Sequence, residues 1–407
     1  MVEFTARDRL KLLGGASAWL LSACGGGSDT QTPSSIDVPP QSTMPMPDPT
    51  PMPSQPPVGD NTLVDGFLRD TFANNFKIGT AMTDNRVRDN DLSAMLAQTQ
   101  FNSITPEYEL KADQIAPTEG VFNFVEADRI VDWGIANGME VRGHALVWHE
   151  ATPDYFYQGT REEIRARLEN YITTVVEHFR GRIQIWDVVN EATSVDIFNG
   201  DNGIGPDRRT PWFEAVGNAD YIDWAFHAAR AADPTAQLFY SDYETENPIK
   251  RDWLVEIVQR LRNRGVPIDG VGHQYHLQLN TSVNEALSAI DAVDNQFGGL
   301  INHVTELDVS FYQDPGSCWE SGINCDADIG ETAPADMLAQ QAQLMRSLFD
   351  GLKLRSSVES VSVWGVRDGD SWLNDVPAVR FNHPLLFDRD GEPKSAFEAI
   401  TNANFVI

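Results

Sequence analysis

Two glutamates lie in apolar segments that are typical of buried strands, where carboxylates are seldom found. Glu191 ends the segment IQIWDVVNE at 183–191, and Glu306 lies within NHVTELDVS at 302–310. Carboxylates are rarely buried unless they are paired. Two carboxylates on either side of a sugar are what glycoside hydrolysis requires, because one donates a proton to the leaving oxygen while the other stays ionised. The two segments therefore predict a carbohydrate-cleaving site if the fold brings them together.

Further polar and aromatic residues follow predicted strands and suit a carbohydrate site. Indole rings stack on sugars, while amide and imidazole groups hydrogen-bond hydroxyls. Each residue alone also has an ordinary explanation, such as core packing, a loop position or a cap on the fold. Their shared location near strand ends is what predicts a site, and they are His144, Trp148, Asn190, Gln274, His276, Trp364 and Trp372.

Strand-like and helix-like segments alternate along most of the chain. Segments at 161–180 and 250–265 have the apolar spacing of helices, and Gly265 ends the second one. Eight strands, each followed by a helix, indicate an α/β fold and, within it, a (β/α)8 TIM barrel that forms a single catalytic domain over 61–407. A doubly wound open sheet is the alternative, but no glycine-rich phosphate loop follows the first strand. The predicted strands are 77–82, 101–107, 141–148, 183–191, 237–244, 270–277, 302–310 and 358–367.

A barrel explains why two distant strands each present a glutamate. Its strands are buried on both faces, so their middles are apolar, and functional side chains collect at their carboxyl ends. Glu191 ends the fourth predicted strand, and Glu306 lies near the end of the seventh. Both glutamates are therefore expected at one mouth of the barrel.

The formal net charge of −30 limits what the protein binds. Nucleic acid requires a basic face, so a nucleic-acid partner is excluded. An acidic polysaccharide is equally disfavoured as the main substrate. The composition, 41% hydrophobic with ten tryptophans, predicts a large core and a surplus of aromatic rings for ligand contact.

The N-terminus has the pattern of an exported lipoprotein. Residues 1–23 combine basic residues with a short apolar run that ends in Leu-Ser-Ala, and Cys24 follows directly. We expect Cys24 to carry lipid and residues 24–60, rich in Pro, Ser and Thr, to form a disordered linker. Gly25, and not Asp, follows Cys24, and this resembles the pattern of lipoproteins that are sorted to an outer membrane. The alternative is an ordinary cleaved signal peptide and a secreted protein.

The two remaining cysteines, Cys318 and Cys325, are seven positions apart. In an exported protein such a pair predicts a small disulfide-closed loop. No Cys or His pair with metal-ligand spacing accompanies them, so neither a metal nor another cofactor is expected.

Seven segments closely resemble, in order and spacing, the signature segments of the glycoside hydrolase family 10 endo-β-1,4-xylanases. They are FNSITPEYELK, VRGHALVWH, WDVVNEA, GHQYH, VTELDVS, WGVRDGDSW and PLLFD. The resemblance runs from about residue 63 to the C-terminus. It implies a (β/α)8 barrel that cleaves internal bonds of xylan by a retaining double displacement, with Glu191 as acid/base and Glu306 as nucleophile. It also favours a monomer that binds xylan and xylo-oligosaccharides.

The same resemblance assigns binding roles. It implies that Asn190 binds the 2-hydroxyl of the sugar under attack, that Tyr243 lies toward the leaving group, and that Trp372 roofs the glycone side. Glu107 and Lys111 would reach further along the glycone side. The remaining residues would line the same subsite as Asn190, and they are His144, Trp148, Gln274, His276 and Trp364.

Two positions depart from the family pattern, and two other functions remain open. Tyr108 stands where the family has Asn, and Tyr275 replaces a residue that is usually small. Either tyrosine could alter affinity on the glycone side or narrow the cleft. The first alternative function is hydrolysis of β-1,4-glucan or mixed-linkage glucan by the same architecture. The second is a surface lipoprotein that binds glycan without cutting it, which the presence of both Glu191 and Glu306 disfavours.

Overall fold

The computed structural model describes residues 66–194 and 205–407. The predicted signal peptide at 1–23, Cys24 and the predicted linker at 24–60 lie outside the described residues. Within them the chain forms nine strands, which are β1 (Lys77–Met82), β2 (Ser103–Pro106), β3 (Glu140–Gly143), β4 (Ile185–Asn190), β5 (Gln237–Asp242), β6 (Gly270–His273), β7 (His276–Gln278), β8 (Ile301–Ser310) and β9 (Val358–Val363).

Eight of these strands close into a parallel barrel. From β1 to β6 each strand pairs with the next, β6 then pairs with β8, and β8 pairs with β9. The ring closes because β9 also pairs with β1, with Ser360 opposite Lys77. The short β7 pairs with the end of β8, where His276 lies opposite Asp308. The predicted (β/α)8 TIM barrel is confirmed.

Helices occupy the connections and cover the barrel. In the described part of the chain they are α1 (Leu68–Thr71), α2 (Asp84–Asp89), α3 (Leu92–Gln100), α4 (Ala112–Ile115), α5 (Val125–Ala136), α6 (Arg161–Phe179), α7 (Pro211–Val216), α8 (Asp220–Ala232), α9 (Pro248–Asn263), α10 (Val283–Phe297), α11 (Gly316–Ser321), α12 (Ala335–Leu352) and α13 (Ser395–Thr401). Four short 3-10 turns add His149–Ala151, Asp154–Tyr157, Asp368–Asp370 and Trp372–Asn374. None of the described helices is both long and apolar enough to cross a membrane.

Local sequence signals account for the two predicted long helices. Thr160 and Glu163 form a reciprocal capping box that starts α6. At the other end of α9, Gly265 adopts φ +72° and donates its N–H to Arg262, which ends the helix in the way a left-handed glycine usually does. The predicted boundaries agree with the structure within two residues.

The barrel interior is packed rather than open. Arg142 on β3 contacts Asp187 on β4 and reaches His303 on β8, with Nη1 2.7 Å from Nδ1. Because β3 and β8 are not neighbours in the sheet, this contact crosses the inside of the barrel. Outside the barrel, a side chain at Gly143 would collide with the Trp186 ring, so only glycine fits there. A filled interior leaves the carboxyl-end mouth as the place for a cleft.

One predicted strand is interrupted in the structure. The sequence predicts one continuous strand over 270–277, but the segment divides into β6 and β7 at Tyr275, whose φ is +57°. The Tyr275 ring is fully buried, packs beside His273 and donates its hydroxyl to the main-chain oxygen of Ala286 on α10. Tyr275 therefore lies in the helical layer and does not narrow the cleft.

The loop that follows β8 contains a disulfide between Cys318 and Cys325, as the sequence predicts. Among the described residues, these cysteines and Asp314 are the one group of metal-ligand side chains close enough to share an ion. Both thiols are consumed by the disulfide, and Asp314 pairs with Arg380. The two sulfur atoms and the Asp314 carboxylate therefore stabilise the loop that follows β8.

Candidate active site

The two glutamates meet at one mouth of the barrel, on either side of Gln274. Glu191 directly follows β4, and Glu306 lies within β8. The Gln274 side-chain Nε2 lies 3.2 Å from Glu191 Oε1, while its main-chain oxygen accepts the Glu306 N–H at 3.1 Å. One residue after β6 thus contacts both carboxylate-bearing residues and fixes their relative placement.

Glu191 is held by its backbone and by three side chains. It has a left-handed φ of +59°, which is uncommon for a non-glycine residue, and its N–H bonds to the Ser241 oxygen at 2.9 Å. Asn190 Nδ2 donates to Oε1 at 3.3 Å, and Arg208 Nη1 lies 3.4 Å from Oε2. About 14% of the Glu191 side chain is exposed. This partly open carboxyl can exchange a proton with a group in the cleft.

The two oxygens of Glu306 have different surroundings. Oε2 lies 3.4 Å from His276 Nε2. Oε1 is buried, lies 3.9 Å from His144 Nδ1, and has no hydrogen-bond partner among the described residues. One oxygen therefore faces an imidazole, while the other is unpaired in the described part of the chain.

His276 is enclosed by two acids. Its Nδ1 lies 3.0 Å from Asp308 Oδ2, and its Nε2 faces Glu306. Burial alone lowers the pKa of His276, but Asp308 and Glu306 outweigh burial and raise the pKa to about 10. His276 is therefore an imidazolium at neutral pH, and its positive charge lies beside Glu306 Oε2.

Removing this charge is expected to change the pH dependence of catalysis. With a pKa of about 10, His276 stays charged throughout the acidic and neutral range. We expect His276→Ala to move the acid limb of the kcat/KM profile to higher pH, because the carboxylate that must be ionised loses its neighbouring cation. His276→Gln keeps a hydrogen-bond donor without the charge, so the same displacement would assign the effect to charge. An acid limb that stays in place in both variants would contradict this account.

A second buried array fixes the orientation of His144. Asp187 is bound by the Arg142 guanidinium and accepts from His144 Nδ1 at 3.1 Å. Burial raises the pKa of Asp187, but Arg142 and His144 lower it overall to about 2. Asp187 is therefore a carboxylate and can only accept, so the His144 Nδ1 atom carries the proton. This contact holds the His144 ring beside Glu306.

A cation and two aromatic rings lie on the β2 side of the mouth. Lys111 is buried, with Nζ 4.5 Å from the centre of the Trp148 ring and 4.8 Å from that of Tyr108. Burial lowers the pKa of Lys111, while Glu107, Glu306 and Glu191 oppose that shift. Lys111 therefore lies within electrostatic range of Glu107 and of both central glutamates.

The remaining predicted aromatic residues surround the two histidines and Glu191. The Trp364 ring meets His144 edge-on at 5.3 Å, and the Trp372 ring lies 5.1 Å from His276. Trp372 Nε1 also donates to Asp308 Oδ2 at 2.9 Å. On the β5 side, Tyr243 lies beneath the Lys250 ammonium and within 6.0 Å of Arg208. The structure thus brings every predicted central residue to one mouth.

Sequence reasoning missed three charged residues of the site: Asp187, Arg208 and Asp308. Asp308 is two positions after Glu306 on β8, and this spacing alone could have suggested that both side chains share a face. Asp187 is likewise an acid within an otherwise apolar strand. Arg208 carries no such signal, because it lies outside the regular elements.

Comparison with known proteins is consistent with this geometry. The family model described as glycosyl hydrolase family 10 matches residues 67–403. A β-1,4-xylanase of Dictyoglomus thermophilum is 39% identical over 334 residues, covering 81% of this chain and 89% of that protein. A thermostable celloxylanase of Thermoclostridium stercorarium is 38% identical over 355 residues, covering 82% and 87%.

Solved structures give the same assignment. The crystal structure of xylanase B from Clostridium stercorarium F9 has a TM-score of 0.75 and 38% sequence identity, and the match covers 83% of this chain and 99% of that one. Its similarity extends over nearly the whole of the described barrel. The chain belongs to glycosyl hydrolase family 10.

Proposed function

We propose that this protein is an endo-1,4-β-xylanase that hydrolyses internal bonds of xylan with retention of configuration. The observation that carries the proposal is the unequal environment of the two glutamates around Gln274. Glu306 has one oxygen facing the His276 cation and one without a hydrogen-bond partner in the described structure, whereas Glu191 is partly open to the cleft. A nucleophile and a proton donor need these respective environments.

The first step forms a covalent intermediate. A carboxylate oxygen of Glu306 attacks the anomeric carbon as the bond from that carbon to the glycosidic oxygen breaks. Glu191, in its acid form, donates its proton to the departing oxygen, so the shorter xylan chain leaves as a neutral alcohol. Arg208 then lies beside the carboxylate that Glu191 has become.

The second step releases the sugar. Glu191 removes a proton from water, and the water oxygen attacks the anomeric carbon and displaces Glu306. Two displacements at one carbon restore the original configuration. Asn190 is held by Gln274, with Nε2 3.1 Å from Oδ1, and in this proposal it presents its amide to the sugar 2-hydroxyl. Such contacts strengthen as the sugar approaches its oxocarbenium-like transition state.

Tyr108, which departs from the family pattern, is expected to contribute to substrate binding on the glycone side. Tyr108 is 40% exposed, and the centre of its ring lies 4.8 Å from Lys111 Nζ. We expect Tyr108→Ala to lower kcat/KM on xylotriose about fivefold, mainly through KM, because an exposed aromatic ring is lost from the glycone side. Tyr108→Phe keeps the ring, so its kcat/KM on xylotriose should lie between that of the parent and that of Tyr108→Ala. Parent-like kinetics in both variants would make the departure neutral.

Hydrolysis of β-1,4-glucan is the second candidate, and the celloxylanase relative favours keeping it. Glucose differs from xylose by a hydroxymethyl group, which a site discriminates by packing alone and therefore only modestly. The deciding experiment incubates the protein separately with glucuronoxylan and soluble cellulose. We expect mixed short oligosaccharides early in the xylan digest, released as the β-anomer. Cleavage of cellulose alone would establish the second candidate, and an initial α-anomer would exclude retention.

We also propose that the protein acts as a monomer held at an outer membrane or cell surface by lipid on Cys24, with 24–60 as the linker. The support is the basic and apolar run of 1–23 that ends directly before Cys24. Full-length protein expressed in a Gram-negative host should incorporate labelled fatty acid and sediment with membranes. Cys24→Ala should lose both properties, and retention of the label would contradict the proposal. Secretion after cleavage would leave the parent protein unlabelled.

A further inference from the structure

Trp319 is a large aromatic residue that the catalytic steps do not use. It lies on the short helix α11, which buries Cys318, yet the Trp319 side chain is 43% exposed. Its ring centre is 5.9 Å from that of Trp372, at an interplanar angle of 46°. Trp372 in turn contacts His276, which faces Glu306. The exposed ring therefore continues the aromatic lining of the proposed substrate site outward to its rim.

The segment that carries Trp319, residues 311–330, is held in place at both ends. The Cys318–Cys325 disulfide closes the turn that contains the helix, and Ser317 Oγ donates to the Ile323 oxygen at 3.0 Å. Arg380 pairs with Asp314 in a buried contact and donates to the Asp326 oxygen at 2.8 Å. The ring is thus positioned before any ligand arrives, which reduces the entropy lost on binding.

The charges around Trp319 restrict the ligand. Residues 311–331 contain five Asp or Glu and no Lys, Arg or His, and Arg380 pairs with one of these acids, Asp314. This acidic surrounding repels anionic groups such as glucuronate. An uncharged pyranose can instead stack on the indole face, as sugars do on exposed aromatic rings in carbohydrate sites.

We propose that Trp319 forms an additional sugar-binding position beyond Trp372, which stacks on an uncharged xylose unit of a long substrate. This inference rests on the proposed xylanase function. Since short substrates do not extend to the rim, the position acts only on longer chains. Its effect therefore depends on substrate length, unlike that of a residue that only supports the fold.

The test compares xylohexaose with an aryl xylobioside in the full-length protein. We expect Trp319→Ala to lower kcat/KM on xylohexaose about fivefold and to leave the aryl xylobioside unchanged. Trp319→Phe should retain part of the activity on xylohexaose, because a smaller ring still stacks. Ile323→Ala is the matched control, since Ile323 is 56% exposed in the same disulfide loop. It should leave kcat/KM unchanged on both substrates.

The proposed sugar-binding position would be overturned if kcat/KM of Trp319→Ala equalled that of the parent on both substrates. An equal decrease in kcat/KM on both substrates would overturn it as well. In that case the activity of the parent would still support the proposed function. A parent protein inactive on both substrates would instead overturn the proposed function and this inference together.

Discussion

Replacing Glu306 by alanine is expected to lower kcat on xylan by on the order of 10⁴-fold or more. Glu306 is the carboxylate that faces both histidines, with Oε1 3.9 Å from His144 Nδ1 and Oε2 3.4 Å from His276 Nε2. Without Glu306 no covalent intermediate forms in this proposal. The rate is measured from reducing ends released by the parent and the variant at matched concentrations.

Two further measurements make the Glu306 result specific. Glu306→Gln keeps the shape of the side chain and should be equally inactive, because the amide is a poor nucleophile. Both variants should still bind xylohexaose in calorimetry, since the residues that contact the rest of the chain are intact. If Glu306→Ala kept activity within tenfold of the parent while remaining folded, Glu306 would not be the nucleophile.

Glu191→Ala is expected to give the second large loss, but one that depends on the leaving group. Xylan requires a proton on its departing oxygen, so its kcat should fall by on the order of 10³-fold or more. An aryl xylobioside with an acidic phenol needs no such proton, and its first step should survive. Because Glu191 is also the base of the second step, the intermediate should accumulate, which appears as a burst of phenol followed by slow turnover.

Azide separates the two roles of Glu191. Alanine leaves space beside Asn190 and Arg208, where a small anion can enter and attack the intermediate without needing a base. We expect azide to accelerate turnover of the aryl substrate by Glu191→Ala and to give a β-xylobiosyl azide. The parent should not respond. Any azide product from Glu306→Ala should be the α-anomer, because the anion would then replace the nucleophile in a single displacement of the phenol. Equal losses on both kinds of substrate, with no response to azide, would contradict the assignment of Glu191 as acid/base.

The barrel could be predicted from the sequence because the hydrophobic pattern is periodic. Buried strands alternate with amphipathic helices, and this alternation places the residue at the carboxyl end of each strand at the same mouth of the barrel. Glu191 and Glu306 could be assigned to one mouth before any distance was known. The same reasoning failed locally at Tyr275, where a left-handed residue divides a strand. Tyrosine carries no particular preference for that conformation, so no sequence pattern predicted it.

Contacts between side chains on different strands could not be predicted. Sequence placed His276 in the same subsite as Asn190, but it gave no sign that Asp308 and Glu306 together raise the pKa of His276. Asp187 has no visible role until Arg142 and His144 are seen around it. These pairings depend on strand register and on closure of the barrel, neither of which the sequence specifies. The contact between Arg208 and Glu191 was the hardest to predict, because Arg208 does not lie on a strand.

Trp372 connects the recognition of sugar units to the reactivity of the nucleophile. Its N–H and His276 share one oxygen of Asp308, at 2.9 and 3.0 Å, and His276 in turn faces Glu306. A sugar that binds against the Trp372 ring would therefore also affect Asp308, the acid that holds the His276 imidazolium in place. We expect binding energy from sugar units that are not cleaved to appear in kcat rather than in KM. Longer chains are then expected to be turned over faster, and not only to be bound more tightly.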